Sequence, residues 1–485
     1  MPTVPFPADG SSAGGVVSDA LAASGLAARR RLPLIKQSEW TPPSHRTDLV
    51  VLLNREAEPR IAELMPIRYA RMAGSHSAFY RGTPAVMASD LACGPNSGLI
   101  VQLSGDAHLS NFGLFASPER HLVFDLDDFD ETLPGPFEWD IKRLAASLVI
   151  AADENGLPAN KAGALAIEAA RSYRTHMSEL SAATELAVWY EHIAADDLLQ
   201  EVGDSLHRAR LHRTLDQARQ TDSSKAIAKL TEPGPDGTPR FLHSPPLLTP
   251  FDEQGRAVVE QVFHDYRTSL PSAQRRLLDR YRIVDAARKV VGIGSVGTRC
   301  YVLLLQGQAA GELLLLQAKE AEPSVLAQYV NVSVTHEGQR VVEGQKLLQA
   351  FGDIFLGWST GPTGRHFYWR QLLDMKGSAS IQDMSESLLH QYAGLCGRAL
   401  ARGHARSGNR VAIAAYLGHD ATFDQAIADF ALSYAQQTRS DYATFTRPSA
   451  TAVCPSRLPD ADLAQARPWA TSGPRFEPAR SEATG

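Results

Sequence analysis

The sequence predicts an α+β protein of two lobes, a small antiparallel sheet lobe beside a mainly helical one. Three observations predict it. The chain has 485 residues, more than one hydrophobic core usually organises. "EPGPDGTPRFLHSPPLLTP" at 232–250 is a Pro/Gly-rich break, the composition of a boundary rather than of an element. From Lys289 onward the apolar period changes from that of helices to that of strands.

Taken in order, residues 1–45 are rich in Ala, Gly, Ser and Pro and are expected to form a mobile tail. "GLIVQL" reads as a short buried strand leading into "SGDAHLSNFG" at 104–113, and "NFGLF", "ASPERH" and "LVFDLDDF" follow as strand, turn and strand. "EWDIKRLAASLVIAADENG" and "KAGALAIEAARSYRTHMSEL" carry apolar residues at helical spacing. Residues 254–289 read as helix with a break near "LPSAQ". "KVVGIGSVGTRCYVLLLQG" and "GELLLLQAKEA" read as a hairpin and a third strand, "QRVVEGQKLLQAF" as helix, "FYWRQLLDM" as strand, and "LLHQYAGLCGRALARGHARSG" as helix. The expected organisation is a helical lobe over 46–250, a small lobe over 251–376, helices completing the large lobe over 377–446, and tails at 1–45 and 447–485.

Composition narrows the function. Forty-eight basic and 54 acidic residues leave a formal charge of −6, which argues against general nucleic-acid binding because no basic excess replaces phosphate counterions. Cys93, Cys300, Cys396 and Cys454 are far apart and form no C-x-x-C pair, so neither a zinc site nor a disulfide framework is expected, and free thiols fit a reducing cytoplasm. The longest apolar run, "LAASLVIAA" at 144–152, is too short to span a bilayer, and no basic n-region precedes an apolar stretch at the N-terminus.

Three clusters carry chemistry. Gly292, Gly294 and Gly297, with Ser295 between them, spell G-x-G-x-x-G. A dinucleotide fold requires a helix after the third glycine, but the strand-like "TRCYVLLL" follows, and the Gly-Lys-Ser/Thr of a Walker loop is absent. What remains is a glycine-rich turn, either plain or one whose amides close over phosphates. Lys319 ends the strand "LLLLQAKEA"; such a lysine either reaches solvent or pairs with nucleotide phosphates and a helix glutamate. Glu343 is the first choice for that glutamate and Glu337 its competitor. The third cluster is Asp106, His108 and Asn111 followed by acids at 125, 127, 128 and 130. Phosphoryl transfer requires an aspartate to orient the acceptor hydroxyl, and an amide and second carboxylate to hold magnesium. Acids so crowded require a cation or good solvation.

This last cluster resembles the catalytic loop and metal segment of aminoglycoside-phosphotransferase-like kinases, H-G-D-x-H-x-x-N followed by I-D-F-(D/E). Gly105, Asp106, His108 and Asn111 match the first part and Asp128–Phe129–Asp130 the second, while Ser104 stands where the family has its first histidine. The resemblance implies ATP and Mg2+ as cofactors, Asn111 and Asp128 as metal ligands with Asp125 as the second choice for the carboxylate, and Asp140 of "LPGPFEWDI" as a buttress of the loop. The glycine turn and Lys319 follow the catalytic loop rather than precede it, so the implied fold is a circularly permuted, protein-kinase-like two-lobed one. The chain over roughly 45–445 also resembles the bacterial group catalogued as domain of unknown function 2252, which supplies no substrate.

The leading expectation is therefore an ATP/Mg-dependent phosphotransferase acting on a small-molecule or protein hydroxyl acceptor. In it Asp106, Asn111, Asp128 and Lys319 are catalytic, Gly292, Gly294, Ser295, Gly297, Lys319 and Glu343 bind nucleotide, and backbone near "WRQLLDM" holds adenine. A metal-dependent phosphoester hydrolase and an inert nucleotide-binding protein are the alternatives. Arg81 reads as a packed arginine that could instead face a phosphate, and His404 as a helix-end histidine favoured by the dipole.

Overall fold

The computed structural model describes residues 13–447 apart from 202–204, 221–222, 236, 291, 310, 373–376 and 378–379. It is a mixed α+β chain with small antiparallel sheets and many helices. The largest sheet has six antiparallel strands, in the spatial order Gly357–Thr360, His366–Gln371, Leu313–Ala321, Cys300–Gln306, Arg282–Lys289, Leu248–Pro250. Its two faces differ. One packs Leu303, Leu305, Leu316, Ala318 and Trp369 against Val259, Phe263 and Tyr266 of the helix Glu253–Ser269. The other carries Val302, Leu304 and Leu315 beneath Ala226, Leu230 and Phe241. Further along this second face the strand alternation brings Gln317, Lys319, Tyr368 and Arg370 together, since Gln317 pairs with Arg370 and Lys319 with Tyr368.

Burial on both faces explains one departure from expectation. The helices Glu253–Ser269 and Ser272–Leu278 are divided at "LPSAQ" as expected, but Arg282–Lys289, which reads as their continuation, is a strand. Four successive residues, Val284 to Ala287, are buried, so the two-residue period that marks a half-exposed strand is erased. The expected N-terminal tail also differs. Ala13–Arg31 is a helix that lies against Arg410–Leu417 so closely that a Cβ on Gly25 would sit 2.0 Å from the Ala412 carbonyl oxygen. The expected C-terminal tail falls outside the described residues after Arg447, as does Cys454; Cys93, Cys300 and Cys396 are free thiols.

The helical body is one large apolar cluster. The helix Glu138–Glu154 runs through it, buried on every side from Glu138 to Ala152. Ala159–Ser181 and Glu386–Ser407 pack along each other, and Gly397 allows the approach: a Cβ there would meet the Ala169 carbonyl oxygen at 2.2 Å. Two small ladders sit on this body. Phe112–Ala116 pairs antiparallel with Leu122–Leu126, as the sequence predicts, and Ile100–Leu103 pairs with Leu133–Pro136. Ile100–Leu103 is the strand expected of "GLIVQL", but its partner carries no strand signal, because "LPGP" is poor in strand formers. Among the described residues no helix is long and apolar enough to cross a membrane.

Candidate active site

The two ladders bring the two polar segments side by side. Leu103 pairs with Leu133, so residues 104–111, which follow the first strand, lie against residues 127–132, which precede the second. Thr132 Oγ1 donates to the Leu103 carbonyl at 2.5 Å and Ser104 Oγ to the Asp128 carbonyl at 3.3 Å. Gly105 has φ +84°, and a Cβ there would lie 2.2 Å from the Glu131 carbonyl oxygen. Only glycine permits both that conformation and that approach.

Asp140 holds the turn from below. Its Oδ2 accepts from Ser104 N at 2.7 Å and its Oδ1 from Gly105 N at 3.0 Å. It stands in the first turn of Glu138–Glu154, where a carboxylate also suits the helix dipole. His404 Nε2 lies 3.2 Å from Asp140 Oδ2, and its Nδ1 lies 2.9 Å from the Tyr173 hydroxyl. His404 stands in the last turn of Glu386–Ser407, as its sequence position suggests, and there it is a fully buried bridge. Within the turn, Asn111 Nδ2 donates to the Asp106 carbonyl at 2.8 Å. Arg143 Nε donates to Asp106 Oδ1 at 2.8 Å, and Arg143 Nη2 donates to the Tyr80 carbonyl at 2.8 Å. His108 is buried, which depresses its pKa to about 3, so the ring is neutral beside Asp106 at 3.7 Å.

The sheet meets this turn through its polar face. Lys319 Nζ bonds Asp130 Oδ2, and the Tyr368 hydroxyl donates to Asp130 Oδ1 at 2.7 Å. Burial alone disfavours the Lys319 ammonium, but Asp130, Tyr368 and Asp128 outweigh it and raise its pKa. Burial likewise opposes ionisation of Asp130, yet Lys319 holds its carboxyl below the ordinary value. Asp128 moves the other way: burial and then the charge on Asp130 raise it. Arg370, bonded through Nε to Gln317 at 3.0 Å, adds a second cation in the field of Asp128 and Asp130.

The glycine turn joins Arg282–Lys289 to Cys300–Gln306 and reaches the same place. Ser295 Oγ lies 3.5 Å from Asp130 Oδ2. Val296 is fully buried with Leu64 and Ile67, and Arg60 Nη1 donates to the Gly294 and Val296 carbonyls at 2.9 and 2.8 Å. Gly297, at φ +93°, faces Arg60 and Met65. Gly292 has open space where its side chain would be. The turn is thus pinned to the helical body and not left to swing.

Two sequence candidates stand elsewhere. Glu343 is exposed on Glu337–Leu348, accepts a bond from Gln339 Nε2 at 2.6 Å, and is not the partner of Lys319, a place Asp130 takes. Its competitor Glu337 accepts from Arg340 Nε at 2.5 Å. The helix contributes Arg340 instead, whose guanidinium donates to the Thr132, Asp130 and Glu322 carbonyls at 2.7, 2.9 and 2.8 Å. Asp125 is buried against Arg402 Nη2, at 2.8 and 2.6 Å from its two oxygens. Its lone pairs are committed to a structural ion pair, which removes it from the candidate metal ligands. Its place inside a wholly apolar run, with Leu122, Val123, Phe124 and Leu126 all buried, could have flagged this.

Sequence reasoning missed Asp130 as the lysine's partner, and Arg143, Tyr368, Arg370 and Arg340 altogether. Tyr368 and Arg370 were legible in principle, since alternate residues of a strand share a face. Of the segment "WRQLLDM" expected to hold adenine, residues 369–372 are described and 373–375 lie outside the described residues; just beyond it, Gly377 exchanges two backbone bonds with Leu114, at 2.8 and 2.9 Å.

A mixed α+β chain with a cation-bearing sheet face seated on a buried acidic turn is the class of protein these features define. Residues 60–448 match the model of a family described as an uncharacterized protein conserved in bacteria, domain of unknown function 2252. That span is most of the chain, and the protein belongs to this family. No curated protein and no solved structure matches it.

Proposed function

We propose that the protein is an ATP- and Mg2+-dependent phosphotransferase with a circularly permuted kinase-like arrangement, acting on a hydroxyl-bearing acceptor. One observation carries the reading. Three segments that resemble kinase parts, at 104–111, 128–130 and 292–319, meet around Asp130, although 189 positions separate Asp130 from Lys319.

The residues fit the cofactors. Among the described residues no three His, Cys, Asp or Glu side chains converge as a metal cage. Magnesium rarely uses one; it keeps waters and takes one or two carboxylates with phosphate oxygens. Asp128 and Asn111 are the oxygen donors for it, and bound Mg2+ would neutralise charge on the phosphate oxygens.

The chain's own groups then divide the work. Asp106 orients the acceptor hydroxyl and accepts its proton, and Arg143 fixes the Asp106 rotamer through Oδ1. His108, neutral through burial, leaves the charge of Asp106 uncompensated on its side. Asn111 clamps the loop backbone by its bond to the Asp106 carbonyl. Lys319 and Arg370 supply the positive charge for phosphates, and the amides of the 292–297 turn close over them.

The test is Mg2+-dependent ATP binding by calorimetry, followed by single-turnover transfer across a panel of hydroxyl acceptors. Lys319→Met and Asp128→Asn are expected to weaken MgATP binding. Asp106→Asn is expected to leave binding intact and lower turnover by on the order of 10²-fold or more. Wild-type protein that takes up no ATP in the presence of Mg2+ would end this reading.

A further inference from the structure

Arg81 closes the helix His76–Arg81 and is used by nothing described so far. Its Nε is buried without a hydrogen-bond partner. A buried guanidinium donor with no acceptor is costly; the Nε atoms of Arg68, Arg267, Arg288 and Arg406 share that state, so it is position that sets Arg81 apart. Its surroundings are not accidental. The preceding carbonyl, that of Tyr80, is held by Arg143 Nη2 at 2.8 Å, while Arg143 Nε holds Asp106 at 2.8 Å. Arg143 also stacks on the Tyr80 ring, 3.9 Å from its centroid. On the other side the glycine turn arrives: a Cβ on Gly294 would lie 3.8 Å from the Arg81 carbonyl oxygen. Arg81 therefore lies between the residue that would orient the acceptor and the turn that would cover the phosphates. Asp106, Asp128 and Asp127 face it electrostatically, yet none bonds its Nε, and burial still lowers its pKa.

We propose that Arg81 is an oxyanion seat, and that the anion it takes is the terminal phosphoryl group of the nucleotide. The assignment rests on the phosphotransferase reading for the identity of the anion, not for its existence. The planar fork of arginine suits a phosphoryl group, which offers two oxygens side by side. An anion here would be held by the outer nitrogens of the guanidinium, the Nε having no open surface in this structure, and would be flanked by Asp106 on the acceptor side. The nearby carboxylates do not substitute for it: Asp106 is engaged by Arg143 through Oδ1, and none of the three bonds the Nε.

The experiment compares the full-length protein with Arg81→Met, which keeps the apolar stem, and Arg81→Lys, which keeps the charge without the fork. Affinities for MgATP, MgADP and sodium tripolyphosphate are measured by calorimetry, with melting temperature as the fold control. Wild type is expected to bind MgATP more tightly than MgADP. In Arg81→Met that preference falls by about 10-fold or more, MgADP affinity is unchanged, and tripolyphosphate affinity drops alongside; Arg81→Lys recovers part of the loss. A wild-type preference for MgATP that survives in Arg81→Met overturns the assignment while leaving the nucleotide reading intact. Tripolyphosphate binding that depends on Arg81 without any nucleotide binding keeps the seat and removes the nucleotide. Binding of neither probe by wild type overturns both. Should Arg81→Met melt well below wild type, Arg81→Lys decides alone: at a wild-type melting temperature, a MgATP preference smaller than that of wild type supports the seat, and an undiminished preference overturns it.

Discussion

Arg402→Met removes one side of a deeply enclosed ion pair, with Arg402 and Asp125 exposed by only 1% and 3%. Arg402 Nη2 donates to both oxygens of Asp125 and to the Leu348 carbonyl at 2.7 Å. After the substitution Asp125 keeps only backbone donors, from Leu126 at 2.9 Å and Ala350 at 3.3 Å. Leaving one member of a buried pair uncompensated costs about 3–5 kcal/mol. At roughly 2.1 cal/mol/K of unfolding entropy per residue, 485 residues unfolding together lose about 1 °C per kcal/mol, so the melting temperature is expected to fall by about 3–5 °C. The loss should depend on pH. Burial already raises the Asp125 pKa in the presence of Arg402, and removing the arginine raises it further. Above the unfolded value the unfolded chain ionises while the folded carboxyl keeps its proton, so stability falls as pH rises. The deficit is therefore smallest near pH 4 and grows toward the elevated pKa. Urea unfolding of wild type, Arg402→Met and Arg402→Met/Asp125→Asn at pH 5 and pH 8 measures it, and the double variant should regain most of the loss. An Arg402→Met protein within 1 kcal/mol of wild type at pH 8 would show that Asp125 is not committed to this arginine.

Three further outcomes are expected. Gly105→Ala forces a left-handed backbone on a residue with a side chain and drives its Cβ into the Glu131 carbonyl, so urea titration should show a loss of about 2 kcal/mol or more. Glu131→Gln should flatten the stability profile between pH 4.5 and 7. Burial pushes this carboxyl up to about 7 from 4.5, so wild type loses up to about 3 kcal/mol across that window as pH rises, whereas the amide keeps the acceptor for Val325 N and does not ionise. Glu343→Ala should leave unfolding within about 0.5 kcal/mol of wild type and nucleotide affinity unchanged, because Glu343 is exposed and its partners, Gln339 and the charge of Lys346, lie on its own helix; a large loss of affinity would return it to the site.

The legible parts of the fold were those with a local signal. Phe112–Ala116 and Leu122–Leu126 are short apolar runs bounded by turn residues, Glu138–Glu154 is an apolar run of helical length, and Glu337–Leu348 shows helical spacing. Arg282–Lys289 carried no such signal, because burial on both faces removes alternation. In the candidate site the motif residues 104–111 and 128–130 could be read because chemistry fixes their spacing. Their partners could not. Arg143 lies on a helix that is buried all round, so its sequence position carries no amphipathic signal. Glu343 was a helix glutamate at the right distance along the chain, but helix rotation decides which side chain faces the sheet, and here it is Arg340. Asp125 and Asp128 differ in sequence by three places and in environment entirely, one facing the body's Arg402 and the other the sheet's cations.

The distance along the chain between Asp130 and Lys319 has a temporal side. Polypeptides leave the ribosome N-terminus first at about 5–20 residues per second, so the 189 positions between the two correspond to about 10–40 s of synthesis. For that interval the acids at 127, 128, 130 and 131 exist with no ammonium from the sheet, and Arg370, Arg340 and Arg402 arrive later still. A nascent chain can build the short ladders early, but its acidic turn stays water-exposed until the last third of the sequence is made, and a transcript cut short before Lys319 yields a product whose charges have nothing to close upon.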